Sequence, residues 1–419
     1  MSRTTVERGA RLIAAVLVSA VIFAPHLLGQ VASLRVIALA AAVVACGVEI
    51  VFSDMTRRQK LLAGAGLLVY LGAAVAIIEL VAALSGDRLF AVNAEHLFVL
   101  LPAFALLGAA VYRSASGRIY LSTLMTVALI VSAVAVAESV FGLSLVGRDY
   151  EFLISQREGI TRALVAGENS LTLGVSLAAM VPLTLKIPTP WMRYGAAVVL
   201  VAGTWATGSR GPAAIAAGVA IVQFIPFARA LLQRYTWVVY AGVAAAMVGL
   251  ALASVYLWTP YIAGNTGIAY SSNYRGALYS LLPRMLVENP FGYALGSPEA
   301  GRWMVDSELH GTFDIVRSVD SEIVFAALGL GWIGLALFLA ALFVGVAALR
   351  IDTSLGLSAL VLTALGFIVA LHGWDGMSAL WYGLIGACLS VTIVPWARAR
   401  LASRGETGQH SQPDMLGPQ

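Results

Sequence analysis

The chain has 419 residues, 60% of them hydrophobic and 11% charged, with a formal net charge of +4 and a mean hydropathy of +0.87. Soluble domains carry roughly 25% charged residues, so no water-soluble fold of this length could hide so much apolar surface. The composition therefore predicts an all-α, multi-spanning membrane protein. Its basic residues are scattered over short loops, which is a membrane-topology pattern and not a nucleic-acid patch.

The apolar runs are about 16 to 25 residues long, the length at which a helix crosses ~30 Å of hydrocarbon. Strand-type alternation is absent, which argues against a barrel. Twelve spans are predicted, at residues 12–29, 36–53, 61–84, 96–112, 119–141, 168–186, 193–209, 212–228, 235–257, 321–349, 354–373 and 376–395. The first follows Arg3, Arg8 and Arg11 without a small-residue cleavage site, so it reads as a retained helix. Cys46 and Cys388 both fall in apolar runs and read as packing residues.

With the N-terminus inside, the inner segments carry sixteen of the 26 Lys and Arg residues, and every inner loop has at least one. An even number of spans puts both termini in the cytoplasm. Residues 1–400 then form one polytopic domain, and the polar tail at 401–419 is expected to be disordered. Two long loops face outside. One runs from Gly142 to Glu168; the other, residues 258–320, is the large outer loop, with Arg275, Arg284, Arg302, His310, Arg317 and Asp320 among its charges. A helix is expected over Asn273–Val287. No repeat of fixed period occurs, which argues against a repeat-built transporter.

Several residues have the chemistry of a site. Arg210 stands in Thr207-Gly-Ser-Arg-Gly-Pro212, a very short turn before the next apolar run. An arginine there, at a helix N-terminus, can hold a phosphate bidentately; its plainer role is an anchor in the lipid headgroups. Arg275 and Arg284 lie on the predicted loop helix beside the membrane surface, where they suit an anionic, lipid-linked substrate or simply the headgroups. Asp320 and His310 are the candidate bases of this face, and Glu322, His372 and Asp375 are further candidates. Glu49, Glu79 and Glu138 fall in or near spans, and intramembrane acids serve as proton relays or helix-pairing groups. No metal-ligand cluster and no phosphate-binding glycine loop are present, so neither a metal nor a nucleotide cofactor is expected.

In chain order these segments resemble the O-antigen ligase and O-antigen polymerase superfamily of bacterial inner-membrane proteins. Over about residues 140–345, Arg162 with Ala166-Gly-Glu-Asn169 is similar to the family's Arg and Gly-x-x-Asn run, and Thr207–Pro212 to its Ser-Arg-Gly turn. Arg275 ahead of Asn289-Pro-Phe-Gly292 resembles the arginine that opens the large periplasmic loop. Asp320-Ser321 through Gly331-Trp-Ile-Gly334 is similar to the closing motif. Ligases carry His-Asn where this chain has Asp320-Ser321, and the aspartate is more like the polymerase branch, which includes exopolysaccharide polymerases.

The resemblance implies a twelve-helix, GT-C-like glycosyltransferase that polymerises undecaprenyl-diphosphate-linked repeats on the periplasmic face, without metal. It implies the donor diphosphate on Arg210 and Arg275; Arg284 and Arg162 are further candidates to bind it, and the candidate base is Asp320, with His310 behind it. The implied partners are the lipid-linked donor, a glycan acceptor, membrane lipids and a chain-length regulator. The alternatives are a ligase that moves finished glycan to a lipid or protein acceptor, and, in another class, a proton-coupled transporter or lipid flippase.

Overall fold

The computed structural model describes residues 3–29, 33–114, 116–142, 144, 161–257, 267–296, 298–307, 311–314 and 319–409. Among the described residues, seven helices are long and apolar enough to cross a membrane: 34–52, 57–85, 88–112, 117–141, 236–253, 322–349 and 375–393. The chain is a helical, multi-pass membrane protein.

In chain order the α-helices are α1 (Arg3–Phe23), α2 (Pro25–Gly29), α3 (Leu34–Phe52), α4 (Arg57–Ser85), α5 (Arg88–Glu95), α6 (Leu101–Arg113), α7 (Gly117–Phe141), α8 (Ser170–Met180), α9 (Pro190–Ala206), α10 (Arg210–Phe224), α11 (Pro226–Arg234), α12 (Thr236–Leu257), α13 (Gly267–Glu288), α14 (Glu322–Leu349), α15 (Thr353–Leu365) and α16 (Asp375–Gln409). A π-helical turn at His96–Leu100 joins α5 to α6. A short hairpin pairs β1 (Met304–Ser307) with β2 (Gly311–Asp314) in the large loop.

Every predicted span falls on a helix; seven of the twelve coincide with helices long and apolar enough to cross alone, and the other five fall on shorter, broken or more charged helices. α1 carries Arg3, Glu7, Arg8 and Arg11 and ends before Pro25. α8 has 11 residues and passes into a tight 3-10 turn at Val181–Lys186, where Pro182 removes a helical hydrogen bond. α9 has 17 residues and α15 has 13. At 1.5 Å per residue, 13 residues rise about 20 Å, less than the hydrocarbon thickness. α10 breaks at Pro226, and α11 leaves it at 97°; counted as one bent span, the pair brings the total to eight.

The short helices are viable because protein, not lipid, surrounds them. From Thr172 to Met180 every residue of α8 is buried, and so is nearly all of α15. The two meet where the Ser358 hydroxyl donates to the Ala179 carbonyl. Around them the longer helices pack through small residues. α6 and α16 approach so closely that a Cβ on Gly108 would stand 2.0 Å from the Gly383 carbonyl oxygen.

Two further differences from the sequence are local. The helix expected over Asn273–Val287 begins at Gly267 and tolerates Pro283 within it. α16 runs to Gln409, past Leu401, where the composition predicts a disordered tail.

Two acids of the spans, Glu49 and Glu138, find structural partners. Glu49 accepts from Arg11 Nε at 3.2 Å and from the Ser116 hydroxyl at 2.9 Å. Glu79 is exposed on the outside of α4. Glu138 is fully buried and accepts from the backbone N–H of Leu164 and of Val165, at 3.1 and 2.8 Å.

Candidate functional site

The last contact builds the site. Glu138 near the end of α7 pins a non-helical segment, residues 161–169, across the rim of the bundle. Val165 is held there at φ 47°, a left-handed conformation that a β-branched residue rarely adopts. Asn169 then caps α8 by accepting from Thr172 N–H at 2.8 Å. Ala163 N–H donates to the Ala206 carbonyl at 2.9 Å, which docks the segment on the turn between α9 and α10.

Arg162 follows that turn. Its Nε donates to the Thr207 carbonyl at 3.1 Å, and its stem lies where a Cβ on Gly208 would otherwise be, 2.6 Å away. Gly208 has φ +65°, so the turn needs glycine twice over, for the backbone and for the arginine. The Ser209 hydroxyl donates to the Ser170 carbonyl at 3.2 Å, and Arg210 is the first residue of α10. The helix thus starts two residues before Pro212, and Arg210 stands exposed at its N-terminus.

The next residue reaches the other half of the rim. Gly211 packs against Ile368, 3.1 Å from its Cδ1 to an ideal Cβ. The Ile368 carbonyl accepts from Arg275 Nη2 at 3.3 Å. Arg275 lies half-buried on α13, and Asp320 is its main charge partner: burial pulls the guanidinium pKa down and the Asp320 charge opposes that pull. One turn on, Tyr279 donates to the Phe367 carbonyl at 2.7 Å and stacks on the Phe367 ring at 4.8 Å between centroids. Its single proton is therefore used, so the Ser321 hydroxyl is the donor in the 2.8 Å contact with Tyr279. Burial pushes the Tyr279 phenol up, out of the titrating range.

Glu322 opens α14 and is 1% exposed. Its main-chain N–H donates to the carbonyls of Gly366 and Val369, at 2.7 and 3.1 Å. Its carboxylate accepts from the backbone N–H of His372 at 3.1 Å and pairs with His372 Nδ1. The stretch from Gly366 to His372 is therefore a hub, touched by Gly211, Arg275, Tyr279 and Glu322.

A second charged group lies beside the hub. Asp375 Oδ1 is 3.0 Å from His96 Nε2, without the angle of a hydrogen bond, and 4.0 Å from Arg35, which also pairs with Glu95 at 2.8 Å. Burial and the Asp375 carboxylate push the Glu168 carboxyl up to about 8, with the Asp375 main-chain N–H partly offsetting them.

Of the residues nominated from sequence, Arg162, Arg210, Arg275 and Asp320 fall on this rim. Arg284 is exposed and engaged elsewhere, 2.6 Å from Glu288 and stacked over Trp303 at 5.5 Å. His310 lies outside the described residues, as do Arg148, Arg157 and Arg317. The pairing of Glu322 with His372 and the Glu168–Asp375 contact join residues far apart in sequence, and no local pattern announces them. Among the described residues no group of three or more His, Cys, Asp or Glu is placed to hold a metal ion.

Two motifs turn out to be structural. The Asn289–Gly292 turn docks on α14 where that helix kinks at Gly331, φ +60°. Trp332 N–H donates to the Pro290 carbonyl, and Tyr293 and Leu295 N–H to the carbonyls of Leu328 and Gly329, at 2.8 to 2.9 Å. A Cβ on Gly331 would sit 2.0 Å from the Pro290 oxygen.

No family model, no curated protein and no solved structure matches this chain.

Proposed function

We propose that the protein is an inner-membrane glycosyltransferase that polymerises undecaprenyl-diphosphate-linked oligosaccharide repeats on the periplasmic face. In this reading the chain keeps the twelve-span, GT-C-like arrangement, with the short central helices counted as spans and both termini cytoplasmic. The observation that carries it is the convergence of Arg162, Arg210 and Arg275 on one rim, linked through the Thr207 and Ile368 carbonyls and the Gly211–Ile368 contact.

Three guanidinium groups at the end of a membrane bundle suit a diphosphate on a lipid. An acceptor hydroxyl attacks the sugar's anomeric carbon, and the polyprenyl diphosphate leaves with the bonding electrons. Arginine charge stabilises the leaving diphosphate, and removing one such group costs on the order of 10²–10³ in rate. A base on the same rim takes the hydroxyl proton; Asp320 and His310 are the residues the sequence nominates.

The test is the glycan profile of a deletion strain complemented with wild type, Arg275→Ala or Asp320→Ala. The reading predicts that polymer disappears, single lipid-linked repeats accumulate, and neither variant restores polymer at normal membrane levels. Full-length polymer held on the carrier lipid would make the protein a ligase instead. Unchanged glycans would end the glycosyltransferase reading and leave a transporter or flippase to be tested by substrate-dependent proton flux.

A further inference from the structure

Resting on the glycosyltransferase reading, we propose that His372, oriented by Glu322, takes the proton from the attacking hydroxyl in place of Asp320. The hydroxyl oxygen forms the new bond to the anomeric carbon, and the carbon–oxygen bond to the diphosphate breaks. The electron pair leaves on the polyprenyl diphosphate, the hydroxyl proton passes to His372 Nε2, and the imidazolium later gives it to water.

Three observations carry this. First, Glu322 is 1% exposed and spends its carboxylate on His372, accepting from the backbone N–H at 3.1 Å and from the ring at Nδ1. A buried carboxylate that holds Nδ1–H fixes the tautomer, leaves Nε2 as the acceptor and stabilises the imidazolium that forms. Second, among the described residues no hydrogen bond engages His372 Nε2, and the side chain is 16% exposed. The ring lies between Phe325, stacked at 5.6 Å, and the edges of Trp381 and Tyr382. His372 is among the residues that line a largely apolar cavity of ≈ 380 Å³ between α6, α14 and α16. Third, His372 ends the segment whose Ile368 carbonyl holds Arg275, so base and diphosphate site share one short backbone stretch. Asp320, in contrast, is exposed.

The groups that face His372 are Glu322 from α14, Tyr382 from α16, and Asp375 at the start of α16, which itself faces His96, Arg35 and Glu168. Glu322 is the nearest charge.

The experiment uses membrane vesicles of the full-length protein and the lipid-linked glycan extracted from the deletion strain, with transfer rates followed against pH. Wild type should lose rate as pH falls and His372 becomes protonated. His372→Gln should lose about 10²–10⁴ in rate and lose that acid limb. Glu322→Gln keeps an acceptor for the His372 main chain but removes the charge, so its acid limb should move to lower pH. Both variants are compared at equal membrane levels, and Glu322→Gln decides if His372→Gln fails to accumulate. An acid limb retained in His372→Gln, or unmoved in Glu322→Gln, overturns the proposal. So does an acid limb abolished by Asp320→Asn alone, which makes Asp320 the base. If wild-type vesicles transfer no glycan, the glycosyltransferase reading itself has failed, and Arg210→Ala and Arg275→Ala will then change nothing.

Discussion

Glu138→Ala tests how the rim is built. The carboxylate is fully buried, and its Oε2 accepts from the N–H groups of Leu164 and Val165, at 3.1 and 2.8 Å. Alanine leaves two buried donors without that acceptor, at a cost of ~1–3 kcal/mol each, or about 2–6 kcal/mol in all. The same bonds hold Val165 at φ 47°, a conformation disfavoured by roughly 1–2 kcal/mol, so the segment gains that much by letting go. The segment from Thr161 to Asn169 should therefore detach before the bundle unfolds. At ~1.4 kcal/mol per factor of ten, amide exchange at Leu164 and Val165 should quicken by about 30-fold to 10⁴-fold. Arg162 and Glu168 travel with the segment, so transfer activity should fall as well. Glu138→Gln has the same shape and keeps an acceptor; charge-assisted bonds are roughly twice as strong as neutral ones, so its effect should be about half as large. Exchange by mass spectrometry on the purified protein is the assay. Unchanged protection at residues 164 and 165 in Glu138→Ala would refute the anchoring argument.

Arg275→Lys should recover little of the activity lost in Arg275→Ala, because an ammonium cannot hold the Ile368 carbonyl and grip a diphosphate with the same planar fork; transfer rates at equal membrane levels decide it. Glu168 carries a folded-state pKa of about 8, raised from 4.5, so the folded protein binds the extra proton between those values. Stability from this group is complete below the unfolded value and is lost as pH rises through the window, by up to ~1.4 kcal/mol per pH unit. Glu168→Gln should flatten that slope and raise the unfolding temperature at pH 8 relative to wild type; an unchanged slope would place the charge elsewhere. Gly331→Ala should cost more than the usual ~1–3 kcal/mol of overpacking, since the methyl meets the Pro290 backbone and not a movable side chain, and thermal unfolding in detergent measures it.

Composition and apolar run length alone determined that this is a helical membrane protein, and they located the helices, because burying backbone in lipid demands internal hydrogen bonding. They did not reveal that some of these helices are short and buried, because hydrophobicity does not distinguish a helix bathed in lipid from one wrapped in protein. α8 and α15 are apolar like the seven long helices but shorter, and protein surrounds them. Arg210 was legible because a guanidinium next to a tight turn is conspicuous in an apolar chain, Arg275 because it lies in the one long polar loop, and Arg162 only through the family resemblance. What they touch was not legible. Arg162 and Thr207, Arg275 and Ile368, and Glu322 and His372 are each brought together by chain crossings of dozens of residues, and only tertiary packing sets them. The same packing assigned Glu138 to a loop anchor, Arg284 to Glu288, and the two glycine motifs to one backbone contact. Side-chain type is a local property of the chain. Partnership depends on which segments the buried α8–α15 pair draws to the same rim, and no local window of sequence contains that information.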